Sequence, residues 1–158
     1  FYKFFTEDRT KNLDRVYFSG VYGDPCLNKN LPEFVKWFQI HRVDLSIDTN
    51  AGYRSSSWWK ILGKMKPRIN FAIDGLEDTN HIYRRNVVWN KVWENINAFQ
   101  KAGGNGQWNF IVFKHNEHQI DKAKKVAESI GMDFRIKVIL EMFDGSGGYM
   151  RATVLFSC

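Results

Sequence analysis

The sequence contains few cysteines, no long apolar run and no leader-like N-terminus. Two cysteines, Cys26 and Cys158, are too few for the disulfide framework of a small secreted domain, so a reducing cytoplasm is the expected compartment. They are also too few to supply the three or four thiolates of an iron–sulfur site. No apolar run reaches the roughly 20 residues of a membrane span, so we expect no membrane partner. Residues 1–5 lack the features of a signal peptide, and the absence of an initial methionine predicts missing upstream sequence.

Several catalytic and nucleotide-binding motifs are absent as well. The sequence has no P-loop, no GxGxxG, no HExxH and no GxSxG elbow. Cys26 follows Pro25 in a predicted loop and could be a nucleophile, but the sequence does not indicate a histidine that would act as its general base. A small buried thiol is therefore favoured over a nucleophile at this position.

The composition is that of one folded domain with a basic surface. The chain has 158 residues, of which 44% are hydrophobic and 16% aromatic, so we expect a folded chain. The net charge is +6, but the basic residues are scattered along the chain rather than gathered in one stretch. This distribution favours a solvated basic surface and argues against a nucleic-acid partner.

Short apolar runs alternate with segments of helical spacing from Arg15 onward. The runs predict strands at residues 16–18, 43–47, 69–73, 108–113 and 134–140, with a last strand at 153–156. We interpret them as nearly continuous apolar strands that are covered on both faces, and residues 141–148 as a glycine-rich loop. Five βα units in series predict an α/β fold with parallel strands. Since five strands cannot close the eight-stranded barrel, we expect a partial, incomplete parallel β/α barrel of five to six strands with flanking helices, in a single domain spanning 1–158.

Polar residues concentrate where the predicted strands end. Such carboxyl ends are where parallel α/β folds bind ligands. Gly20 and Gly23 either permit a tight turn or let the backbone approach a ligand closely. Thr49 and Asn50 are either ordinary loop residues or part of a helix N-cap. His115 could be a metal ligand, a general base or a loop histidine whose ring nitrogens merely form structural hydrogen bonds. The polar segments that follow the five strands are residues 19–25, 48–50, 74–75, 114–116 and 141.

Taken in order, these segments resemble motifs of the radical S-adenosylmethionine (radical SAM) superfamily. Residues 16–25, VYFSGVYGDP, resemble the family's GGEP segment in a GDP form, and 48–52, DTNAG, its TNG strand end. Residues 73–75, followed by His81 and Arg85, are similar to its SIDG…H…R segment. Residues 30–33 match the start of its next helix, and 113–117 the end of its fifth strand. The resemblance covers residues 15–140 and implies that the predicted strands are the second to the sixth of a six-stranded partial barrel.

The resemblance also implies a cofactor site. Gly20, Gly23 and Asp24 would position the methionyl end of S-adenosylmethionine, and Thr49 and Asn50 would line the cavity beside it. Residues 74, 114 and 116 would face the adenosyl group or the substrate. No catalytic residue and no metal ligand is predicted. The cofactor-binding candidates are Gly20, Gly23, Asp24, Pro25, Thr49, Asn50, Asp74, Lys114 and Asn116.

The family's cluster-binding CxxxCxxC loop is absent from the sequence. The resemblance nevertheless implies that the parent protein is a radical SAM enzyme that uses a [4Fe–4S] cluster to cleave S-adenosylmethionine and abstract hydrogen from an unknown substrate. The chain itself would lack the first strand and the cluster loop, so it would not hold the cluster and would be inactive. Truncation at the C-terminal end is an open alternative. The alternative is a degenerate, non-enzymatic binding or oligomerisation module that self-associates through an exposed sheet edge.

Overall fold

A six-stranded sheet forms the centre of the computed structural model, which describes residues 1–20, 22–143 and 149–157. The strands lie in sequence order, and the first five are parallel. This arrangement confirms the predicted α/β fold. The sixth strand pairs antiparallel to the fifth, from Phe143↔Tyr149 to Arg135↔Ser157. The strands are Arg15–Phe18 (β1), Asp44–Thr49 (β2), Arg68–Ala72 (β3), Asn105–Ile111 (β4), Asp133–Phe143 (β5) and Tyr149–Ser157 (β6).

Helices connect the parallel strands. Because each crossover joins neighbouring strands and such crossovers are right-handed, the connecting helices lie on one side of the sheet. No helix among the described residues has the length and apolar run that would span a membrane. The helices are Glu7–Thr10 (α1), Leu31–Ile40 (α2), Ser56–Met65 (α3), Asn80–Tyr83 (α4), Trp89–Lys101 (α5) and Ile120–Ser129 (α6), with 3-10 turns at Pro25–Leu27 and Glu117–Gln119.

The hydrophobic core lies between the sheet and these helices. Trp59 of α3, Phe71 of β3 and Phe99 of α5 are fully buried, and their ring centroids lie 5.6 to 6.1 Å apart. The two helices approach each other closely at Gly63, where an added Cβ would lie 2.4 Å from the Phe99 carbonyl oxygen. The core therefore depends on a glycine at this helix–helix contact.

The strands alternate between apolar and polar residues, so the prediction of nearly continuous apolar strands covered on both faces is wrong. In β2, Leu45 and Ile47 are buried in the core, whereas Asp44, Ser46 and Asp48 occupy the alternate positions. The same alternation continues in β3, β4 and the start of β5. Its physical reason is that the helices cover only one face, and the other is a polar inner face.

Several strand boundaries differ from the prediction, and the sixth strand begins at Tyr149, four residues before the predicted 153. The fourth strand begins at Asn105, three residues before the predicted 108, because Asn105 and Gly106 pair with Arg68 and Ile69. The fifth strand extends to Phe143, into the predicted loop, because it pairs with β6 along its length. Residues 144–148 of that predicted loop lie outside the described residues.

Candidate functional site

A polar pocket of about 330 Å³ opens at the carboxyl ends of the parallel strands. It brings together four of the residues predicted from sequence: Gly20, Asp24, Thr49 and Asn50. Two carboxylates and two cationic side chains share its wall, so it presents both signs of charge. The remaining lining residues are Ser19, Asp48, Ala72, Arg84, Asn109, Ile111 and Lys137.

The Asp24 carboxylate holds the loop after β1 against the end of β2. Its two oxygens accept hydrogen bonds from Thr49 Oγ1 at 2.9 and 2.8 Å. They also accept from the backbone N of Cys26 at 2.9 Å and of Asn50 at 3.0 Å. Thr49 in turn accepts from the backbone N of Ala51 at 3.0 Å. Asp24 therefore shapes the pocket through its neighbours, and both of its oxygens have partners.

The loop before Asp24 turns at two glycines in the left-handed region. Gly20 has φ 71° and Gly23 φ 126°, values that favour glycine over residues with a Cβ, and the Gly23 N–H donates to the Gly20 carbonyl oxygen at 3.1 Å. Gly23 and Pro25 line a different cleft, of about 510 Å³, that lies beside β1 and shares Gly20 with the polar pocket. Phe1 and Phe34, whose rings stack 3.8 Å apart, help to form its apolar wall.

Asp74 and Asn116 are joined in a buried network and do not line the polar pocket. Both are fully buried. Asp74 Oδ2 accepts from Arg84 Nε at 2.6 Å, and Oδ1 accepts from the Ile111 backbone N at 2.6 Å. Asn116 Nδ2 donates to the carbonyl oxygens of Asp74 at 3.0 Å and Ile111 at 2.9 Å, and Oδ1 accepts from the Phe113 N at 2.7 Å. These residues fix the ends of β3 and β4 and position Arg84 in the pocket wall.

The other polar residues singled out in sequence lie away from the pocket. Lys114 is exposed, and the His115 ring stacks on Phe113 with centroids 5.3 Å apart. His81 and Arg85 are exposed. The arginine that reaches the pocket is instead Arg84.

The polar inner face supplies a second group of residues that the sequence interpretation missed. They line a cavity of about 400 Å³ (the inner-face cavity). It shares Asn109 and Lys137 with the polar pocket at the carboxyl ends of the strands, which we also call the carboxyl-edge pocket. The signal was present as period-two alternation, for example in residues 44–48, DLSID. The cavity is lined by Arg15, Tyr17, Asp44, Ser46, Arg68, Asn70, Gln107, Asn109, Arg135 and Lys137.

Among the described residues, burial is the main cause of three pKa shifts. It raises the pKa of Tyr17, and the hydrogen bond from the Tyr17 hydroxyl to Asp48 raises it further. Burial likewise raises the pKa of the Cys26 thiol, with a further contribution from the Asp24 charge. It also raises the pKa of Asp74, although Arg84 and the Ile111 N–H act in the opposite direction. The Cys26 thiol is thus kept protonated and unreactive.

The described residues do not fit an iron–sulfur cluster. They contain no group of three His, Cys, Asp or Glu side chains placed to hold a metal ion. Cys26 is a free, fully buried thiol, and Cys158 lies outside the described residues. No step of a reaction can therefore be assigned to a cluster held by these side chains.

Several solved structures resemble the chain. SuiB from Streptococcus suis superposes with a TM-score of 0.68 at 18% identity, over 87% of this chain and 32% of SuiB. Its S-adenosylmethionine-bound structure gives the same values. A structure of anSMEcpe with bound AdoMet has a TM-score of 0.62 at 18% identity, over 84% of this chain and 39% of that protein. Archaeal TYW1 has a TM-score of 0.56 at 18% identity, over 80% of this chain and 42% of TYW1.

The chain spans about a third to two fifths of the length of these proteins. No protein-family model matches it, and neither does any curated protein. SuiB, anSME and TYW1 are radical SAM enzymes. The chain therefore has the α/β partial-barrel fold that these radical SAM enzymes share.

Proposed function

We propose that the polar pocket at the carboxyl edge binds S-adenosylmethionine and that the chain is the cofactor-binding part of a radical SAM enzyme. The observation that carries this proposal is the coincidence of that fold with a pocket of mixed charge where its strands end. Two structures of similar fold, SuiB and anSMEcpe, have S-adenosylmethionine bound. In such an enzyme the cofactor supplies the radical that abstracts a hydrogen atom from the substrate.

The residues of the pocket suit the groups of this cofactor. S-adenosylmethionine carries an ammonium and a sulfonium, which are complementary to Asp24 and Asp48, and a carboxylate, which is complementary to Arg84. Because Gly20 and Gly23 have no side chains, the backbone of this turn is unshielded, and its carbonyl oxygens can accept hydrogen bonds from the ammonium group. The pocket is also within the usual size of a small-molecule site.

The nine candidates divide into three roles under this proposal. Residues 20, 24, 49 and 50 form the wall that the cofactor contacts. Residues 23 and 25 shape the loop behind it, and residues 74 and 116 hold Arg84 and the strand ends in place. Lys114 is exposed and would contact a substrate or a further part of the parent protein.

Titration calorimetry of S-adenosylmethionine into the chain tests the binding step. Asn50 lines the pocket, so Asn50→Ala should weaken binding by about tenfold, the effect of losing one good polar contact. Asn90 is exposed at the start of α5, and Asn90→Ala is the matched control that should bind as the wild type does. Absence of binding to the wild type, or equal binding by Asn50→Ala, would contradict the proposal.

The proposed cluster is tested separately. We propose that its cysteine ligands belong to sequence outside residues 1–158, in a parent protein that this chain covers only in part. A longer form carrying the three-cysteine loop should become brown and oxygen-sensitive after anaerobic reconstitution with iron and sulfide. A colourless product would count against a radical enzyme and leave only a fold relationship.

A second candidate function is that of a non-enzymatic module that self-associates through β1. It is favoured by the edge of β1, which pairs with β2 on one side and with no other strand of the described residues. An unpaired edge presents backbone donors and acceptors to a second chain. Sedimentation over a wide concentration range would show a dimer if this candidate is right and a strict monomer if it is wrong.

A further inference from the structure

The inner face of the sheet is a continuous polar surface built from alternate residues of five strands. On β3 and β4, Asn70 pairs in register with Gln107, and on β4 and β5, Asn109 pairs with Arg135. Side chains at such positions point to the same face and lie close to one another. The cavity of about 400 Å³ over this face is lined by four basic side chains and one carboxylate.

The acidic groups of this face already have partners. Asp44 Oδ2 accepts from Arg15 Nε at 3.1 Å. Asp48 Oδ1 accepts from Asn70 Nδ2 at 2.8 Å, and Oδ2 accepts from the Tyr17 hydroxyl. Asp44 is thus paired with Arg15, and Asp48 accepts hydrogen bonds from neutral groups, so these two carboxylates face four basic side chains.

Three cations of the face lack such a partner. Within the described part of the chain, no carboxylate forms an ion pair with Arg68, Arg135 or Lys137. Arg135 and Lys137 are half-buried, where the attraction of an anion is stronger than at a fully solvated surface. The face thus has an excess of positive charge directed into one cavity.

Asn109 gives an independent indication of a ligand. Its side chain is only 6% exposed, and its Oδ1 has no hydrogen-bond partner among the residues that the structure describes. Leaving a buried acceptor unpaired costs about 1–3 kcal/mol, so such an atom calls for an explanation. Asn109 lines both the inner-face cavity and the carboxyl-edge pocket, and it stands beside Arg135.

We propose that the inner face binds the substrate through an anionic group, a carboxylate or a phosphate. Arg68, Arg135 and Lys137 contact the anion, because guanidinium and ammonium groups form strong charge-assisted hydrogen bonds with its oxygens. The Asn109 Oδ1 accepts a hydrogen bond from an N–H or O–H group of the same molecule. This inference rests on the proposed function, since it places an acidic substrate next to the cofactor pocket.

Binding of two simple anions to the full chain tests the proposal. Citrate represents carboxylates and inorganic pyrophosphate represents phosphates, each titrated calorimetrically at constant ionic strength. At least one should bind the wild type with a Kd below about 1 mM. Binding of citrate alone identifies a carboxylate-bearing substrate, binding of pyrophosphate alone a phosphate-bearing one, and binding of both a site for either group. Absence of binding by both overturns the proposal.

Substitutions locate the anion on the inner face. Arg68→Gln and Arg135→Gln should each weaken the bound anion by about tenfold, because each removes a charge-assisted contact. Arg9→Gln, at an exposed position of α1, removes the same charge and should leave binding unchanged. An equal loss in all three variants would mean non-specific attraction to a basic protein and would overturn the site. Circular dichroism confirms that each variant is folded.

A parallel titration with S-adenosylmethionine separates this inference from the proposed function. Neither Arg68 nor Arg135 lines the carboxyl-edge pocket, so both variants should retain the wild-type affinity for the cofactor. If the wild type binds the cofactor but no anion, the inner-face site is refuted and the proposed function stands. If it binds an anion through Arg135 but no cofactor, the proposed function fails and the anion site stands.

Discussion

Two buried asparagines allow the inner-face reasoning to be tested by stability alone. Asn109 and Asn116 are both at most 6% exposed. Asn116 makes three hydrogen bonds through its side chain, whereas Asn109 Oδ1 makes none within the described residues. Leucine has the same number and branching of heavy atoms as asparagine, so Asn109→Leu and Asn116→Leu remove the amide with little change of shape.

The two substitutions should differ strongly in their effect on the free energy of unfolding. At position 116 the loss of three hydrogen bonds, each worth about 1 kcal/mol, together with the buried backbone groups left unpaired, should lower the free energy of unfolding by about 3–5 kcal/mol. At position 109 the substitution removes an unpaired acceptor, so stability should be unchanged or rise by up to about 1 kcal/mol. The expected difference between the variants is therefore roughly 3–6 kcal/mol.

Urea unfolding followed by tryptophan fluorescence measures both changes, since the chain has six tryptophans. The measurement is made in a buffer without multivalent anions, so that no ligand stabilises the wild type. A loss of more than about 2 kcal/mol in Asn109→Leu would mean that this amide supports the fold. It would then be no evidence for a ligand, and the reasoning from its unpaired oxygen would be refuted.

Three further substitutions test the description of the site and the core. Asp24→Ala should lower the free energy of unfolding by about 2–4 kcal/mol in urea, because its donors lose a charged acceptor; a change below about 1 kcal/mol would contradict its anchoring role. Because burial raises the pKa of Asp74 in the folded chain, the folded state binds the extra proton, and the wild type should lose stability as the pH rises above about 4. Asp74→Asn should lack that slope in unfolding measured against pH, and parallel curves would refute the assignment. Gly63→Ala should lower the free energy of unfolding by about 1–3 kcal/mol, since the contact with the Phe99 carbonyl outweighs the gain in helix propensity; unchanged thermal unfolding would show that α3 and α5 can separate without cost.

The sequence was sufficient for the order of the elements and for one edge of the site. Helical spacing and apolar runs follow local periodicity, and parallel strands bring their carboxyl ends together, which is why Gly20, Asp24, Thr49 and Asn50 line one pocket as expected. The hydrogen bond between Asn116 and the Asp74 carbonyl oxygen cannot be predicted from the sequence. It depends on side-chain directions and joins loops that are 42 residues apart in sequence.

The polar inner face, in contrast, can be predicted from the sequence. Its alternation is present in residues 44–48 and 68–72, whereas the prediction of continuous apolar strands rests on the apolar members alone. The reversed direction of β6 gives a contrasting case, since it depends on a pairing with β5 that apolar content alone does not specify. Periodicity within a strand can be read from sequence, whereas the direction of its neighbour cannot.

The alternation along β2, β3 and β4 gives the two faces of the sheet independent sequence requirements. Residues such as Ile47, Phe71 and Trp108 are fully buried against the helices, whereas Ser46 and Gln107 line the inner-face cavity. Because the two sets of side chains lie on opposite faces, the inner-face positions can be randomised in a library while the core is held constant, with the stability of each variant measured because Ser46 and Gln107 are themselves buried. Selection on such a library could change which molecule is recognised without rebuilding the scaffold, since foldability and recognition are encoded in interleaved residues of the same strands.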